Sequence, residues 1–92
     1  MDTNYEITLA APIPQGADIL NKPCTMVFNY ADGSHSDVYS GTTLSSINST
    51  VRISSRYLNI DSAWTHDVRG GTLDIATGGG LVRTITNFVK LP

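Results

Sequence analysis

His66, Asp67 and Asp74 are the densest group of titratable side chains in this 92-residue sequence. If 64–68 and 73–75 are strands joined by a tight turn at Gly70-Gly71, Asp67 falls directly opposite Asp74. Two facing carboxylates raise one another's proton affinity, which suits acid–base chemistry or the binding of a cation. Like charges facing across a ladder also destabilise it. A shifted register pairing Asp74 with His66, or both groups facing water, is therefore the stronger expectation. Cys24, His35 and Asp37 are of the types that make a nucleophile, a base and an orienting acid. Nothing in their spacing brings them together, and Cys24 sits on an alternating apolar face, where a free thiol packs as a small hydrophobe. The expectation is a protein that is not an enzyme, with no catalytic residue, no metal site and no cofactor.

Three weaker signals lead to the same place. Arg52, Ser54 and Arg56 share a face if the strand is regular, a possible anion strip, but the acidic total favours an ordinary solvent face. The glycines at 78–80 are followed by β-like residues rather than a helix N-terminus, so they do not form a phosphate cradle. Asn48-Ser49-Thr50 has the pattern of a glycosylation acceptor, which the lack of an export signal makes a coincidence. The better recognition residues are aromatic: Tyr30, Tyr39, Tyr57 and Trp64. Tyr and Trp offer large contact area at small entropic cost. Trp64 is expected in the core, whereas Tyr30 stands beside a turn.

That turn lies in "FNYADGSHSDVY", residues 28–39. Two extended runs flank Ala31-Asp32-Gly33, and Gly at the third loop position suits a type I turn with a G1 bulge. This register sets Met26 opposite Val38 and Asn29 opposite His35. A two-residue Asp-Gly turn would instead set Phe28 opposite Asp37 and Tyr30 opposite His35. The first keeps apolar with apolar and is preferred.

The other elements follow by alternation. Tyr5, Ile7 and Leu9 share one face of a first strand, and Cys24, Met26, Phe28 and Tyr30 one face of a second. Residues 10–23, with Pro12, Pro14 and Pro23, read as a Pro-rich connection or arm packing through Ile13, Ile19 and Leu20. Residues 40–50 read as loop with at most one helical turn, because Ser and Thr are poor helix formers. Val51 and Ile53 have the opposite parity to Leu58 and Ile60, which predicts a bulge or crossing at Ser54-Ser55. Residues 64–75 read as a second hairpin, and 81–91 as the longest strand, with Leu81, Ile85, Val89 and Leu91 on one face. The fold class is all-β, a single domain over 1–92 forming a small antiparallel sandwich or barrel of about six strands.

Composition bounds the function. Eleven Thr, nine Ser and eight Gly against two Lys favour strands and turns. A net charge of −2 argues against a grip on nucleic acid phosphates. One Cys excludes an internal disulfide. No apolar run reaches the ~20 residues of a membrane-spanning helix. The opening MDTNYEITLA lacks basic and apolar signal regions, which predicts synthesis in a cytoplasm without export, with a virion as the destination of an assembly role. The expected function is that of a structural or decoration subunit of a larger assembly, in the setting of a virus or phage particle. The alternative is a small soluble inhibitor, such as a phage protein that blocks a host system. The partner is a protein, either further copies in a homo-oligomer or another chain, with no nucleic acid and no membrane. The contact residues are expected to be Tyr30, Asp32, His35, Asp37 and Tyr39 around the hairpin tip.

Overall fold

A computed structural model describes residues 2–13, 19–30, 32–57, 70–76 and 81–92. Among them are six strands: β1 (Thr3–Leu9), β2 (Pro23–Val27), β3 (Tyr39–Ile47), β4 (Thr50–Ser55), β5 (Thr72–Ile75) and β6 (Leu81–Lys90). Every ladder is antiparallel, and the order β1-β4-β3-β2-β5-β6 closes on itself. The fold is thus a six-stranded barrel rather than a sandwich, and the described residues contain no helix. Closure removes the open strand edges that a sandwich of this size would present.

The interior follows from period-two burial. Tyr5, Ile7 and Leu9 of β1, Cys24 and Met26 of β2, Val51 and Ile53 of β4, and Leu73 and Ile75 of β5 all point inward. At one end of the barrel the interior is aromatic. Phe88 stacks on Tyr5 with centroids 5.0 Å apart and meets Phe28 edge-on at 5.1 Å, while Tyr39 lies tilted against Phe28 at 6.2 Å. Such geometries add to simple area burial.

Several elements depart from the sequence reading. The Ser/Thr-rich stretch expected as loop is the nine-residue strand β3. Its inward residues are small or polar, Gly41 and Thr43, so no apolar alternation announces it. Thr43 is fully buried and is used as a hub. Its hydroxyl accepts from Lys22 N–H at 3.1 Å and donates to the Ile19 carbonyl, while its backbone N–H donates to Lys22 O at 3.0 Å. These bonds hold the end of the Pro-rich connection against the barrel, with Ile19 buried and Leu20, contrary to expectation, half exposed.

Parity does not switch at Ser54-Ser55, since Val51, Ile53 and Ser55 are all buried and β4 ends there. Leu58 and Ile60 lie outside the described residues. The face inverts in β6 instead. Thr8 pairs with Asn87 but Leu9 pairs with Ile85, leaving Thr86 as the extra residue, its hydroxyl donating to Thr8 O at 3.1 Å. Past this bulge Phe88 turns inward, so the expected single face of Leu81, Ile85, Val89 and Leu91 is broken. Of the expected second hairpin only its later arm is described: β5 pairs with β2 on one side and β6 on the other, and Asp74 stands opposite Thr25 and Val82. Residues 64–68 lie outside the described residues.

Candidate functional site

The segment between β2 and β3 forms a two-armed hairpin, and its tip has the chemistry expected of it. Tyr30 N–H donates to Ser34 O at 2.8 Å and Gly33 N–H to Tyr30 O at 3.1 Å. Gly33 has φ of 93°. This is the three-residue loop with glycine at the left-handed position. Asp32 closes it as an Asx turn, its Oδ1 accepting from Ser34 N–H at 2.9 Å and from the Ser34 hydroxyl at 2.6 Å. These two bonds hold the Asp32 carboxyl below its ordinary pKa of 3.8 although it is exposed. Ala31 lies outside the described residues.

Asn29 faces His35, as expected, yet Met26 faces Tyr39 rather than Val38. Between these pairs the outgoing arm contributes two residues, Val27 and Phe28, and the returning arm three, Ser36, Asp37 and Val38. The mismatch is resolved by Ser36, a buried serine. Its backbone N–H donates to Phe28 O at 2.8 Å, its Oγ accepts from Phe28 N–H at 2.9 Å, and its hydroxyl donates to Asp37 O at 2.8 Å. A side chain thus replaces the missing rung. The consequence is that consecutive residues Asp37 and Val38 both face solvent, Val38 with 65% of its surface exposed.

The expected contact residues therefore divide. Asp32, His35 and Asp37 are exposed along the hairpin. His35 Nδ1 lies 2.8 Å from Ser36 O, and since a carbonyl only accepts, Nδ1 carries the proton and Nε2 is the acceptor in the neutral ring. Tyr30 and Tyr39 are half-buried and pack on the core, so they anchor the hairpin more than they present it. Val38 belongs to the surface and was missed, because period two placed it inward opposite Met26. The local signal was Ser36, a polar residue at the parity of the core. The root of the hairpin is held by Asn29 Nδ2 donating to Gly70 O at 2.8 Å and by Gly71, where a Cβ would meet Val27 O at 2.6 Å.

The alternative constellations do not assemble. Cys24 is buried inside β2 whereas His35 and Asp37 lie on the exposed hairpin, and burial pushes the Cys24 thiol up to about 11. His66, Asp67 and Trp64 lie outside the described residues. Arg52 and Arg56 are each matched by an acid, Glu6 at 3.3 Å and Asp2 at 3.5 Å, so they form no free anion strip. Among the described residues no three His, Cys, Asp or Glu side chains gather as metal ligands, and no helix is long and apolar enough to cross a membrane. Comparison of the chain with protein-family models, curated proteins and solved structures finds no match.

Proposed function

We propose that this protein is a non-enzymatic structural or decoration subunit of a larger protein assembly, of the kind found in a virus or phage particle, and that it meets its neighbour through the β2–β3 hairpin. The observation that carries this reading is the bulge at Ser36, which turns an apolar residue, Val38, out into water beside Asp37. Ser36 is buried while Val38, two residues on, is 65% exposed among the exposed Asp32, His35 and Asp37, a mixed apolar and charged surface that suits a protein partner. The closed barrel favours contact through these side chains over addition of a strand to an edge.

The alternative, a small soluble inhibitor, is favoured by the concentration of the exposed Asp32, His35, Asp37 and Val38 on one hairpin. Solution mass measurement separates the two. An assembly subunit gives a defined oligomer that Val38→Asp dissociates while the barrel stays folded. An inhibitor stays monomeric and loses a heterologous partner with the same substitution. A Val38→Asp variant whose mass and captured partners both match wild type would overturn the role of the hairpin.

A further inference from the structure

We propose that the outer face of β4-β3-β2-β5 carries a binding trough for a short uncharged oligosaccharide. Two adjoining clefts of about 390 and 270 Å³ share Ser40 and Gly41 and together cross these four strands. The register sets the outward side chains in two rows. Asp74 faces Thr25, which faces Ser40; Pro23 faces Thr42, which faces Ser54. Asp2, Arg56 and Tyr57 line the far end.

The lining selects the ligand class. Ser40, Thr42, Ser54 and Thr25 each both donate and accept, which matches hydroxyl groups better than any singly charged group. Asp74 at one end and Asp2 at the other only accept, while Arg56, 3.5 Å from Asp2, supplies a fork of donors beside it. Two carboxylates against one guanidinium disfavour an anion. With Asp2 paired to Arg56, the lining keeps no two free carboxylates to hold one cation. Tyr57 is 67% exposed and its backbone N–H donates to Ser55 Oγ at 3.2 Å, while the Ser55 hydroxyl donates to Ser40 O at 2.6 Å. An exposed aromatic ring whose backbone is tied to the trough wall suits the C–H face of a sugar, as the hydroxyl rows suit its edges. Gly41 keeps the strands close, since a Cβ there would meet Ser54 O at 2.9 Å.

The test is titration of the whole isotopically labelled chain with cellotetraose, maltotetraose and chitotetraose at millimolar concentration, followed by amide shifts in NMR spectra. Binding by at least one of them is expected, with shifts centred on Thr25, Ser40, Gly41 and Thr42. Tyr57→Ala and Asp74→Ala, both at exposed positions, should each weaken it by about tenfold. Asp32→Ala, at the hairpin tip, should leave the sugar-induced shifts unchanged, so failure here is distinct from failure of the hairpin reading. No shift with any of the three sugars, shifts centred elsewhere, or full binding in both trough variants would each overturn the proposal. So would spermidine moving these amides where the sugars do not.

Discussion

β3 is bounded by two hairpins of opposite character. At its C-terminal end Asn48-Ser49 make a two-residue turn, and the ladder with β4 runs right up to it at Ile47 and Thr50. Asn48 takes the positive φ, 55°, that such a turn needs. The carbonyls of this turn are used by the barrel itself, Ser49 O accepting from Leu9 N–H at 2.8 Å and Asn48 O from Ile13 N–H at 3.3 Å. At the N-terminal end of β3 the hairpin loses one rung of its ladder and replaces it with the Ser36 side chain. The difference shows how one chain makes a connection that closes a fold and another that displays residues. The first satisfies its backbone by ladder bonds and body contacts. The second depends on side chains at its root, and frees Asp37 and Val38.

This contrast can be broken at the root with the largest effect. Phe28→Ala removes the ring that meets both Phe88 and Tyr39. It should cost roughly 3–5 kcal/mol in a denaturant titration and loosen the hairpin with the barrel. Next comes Ser36→Ala, which removes the Oγ that accepts from the buried Phe28 N–H. About 1–3 kcal/mol should be lost, whereas Ser49→Ala in the tight turn should stay within about 0.5 kcal/mol. Equal losses at the two serines would abolish the distinction drawn between the hairpins.

Gly33→Ala should cost about 1–2 kcal/mol through backbone strain alone, because a Cβ there meets nothing within 4 Å while φ is 93°. Asn48→Gly should be close to neutral, since glycine adopts the same φ freely. The smallest effects are those of pH. Asp32 has a depressed pKa, so the Asx turn's contribution is fully present above the ordinary value of 3.8 and is lost as pH falls below it through the folded value. A wild-type chain should lose this part of its acid-side stability and Asp32→Asn should not. Cys24 in the barrel behaves oppositely. Its raised pKa gives a contribution complete below its ordinary value of 9.0 and lost as pH rises toward about 11. Its thiol should resist a disulfide reagent in the folded state at mildly alkaline pH and react on unfolding.

Much of the fold was legible in advance because burial on a sheet imposes a period of two. Tyr5, Ile7, Leu9, Cys24, Met26 and Phe28 are all in the core at the parity read from the chain. The loop at Ala31-Asp32-Gly33 was legible for a local reason too, the positive φ at Gly33. β3 was hidden because its inward positions, Gly41 and Thr43, are not apolar. Thr43 spends its hydroxyl on the backbone of residues 19 and 22, a partner more than twenty positions away. Of the expected contact residues, Asp32, His35 and Asp37 are exposed while Tyr30 and Tyr39 are half-buried against the core, and the exposure of Val38 was not legible because it follows from the bulge at Ser36.

By itself, then, the sequence determined that the runs with apolar alternation, β1, β2 and the start of β4, are strands with a wet and a dry face, and where the chain reverses at Gly33, because φ preferences and alternation are local properties. Only the tertiary structure decided the closure of β1 against β6, the bulges at Ser36 and Thr86, and the neighbours of Asp74. Each of these depends on which distant backbone comes alongside. A one-residue slip there exchanges the inside of a strand for its outside, and neither composition nor spacing sets that choice.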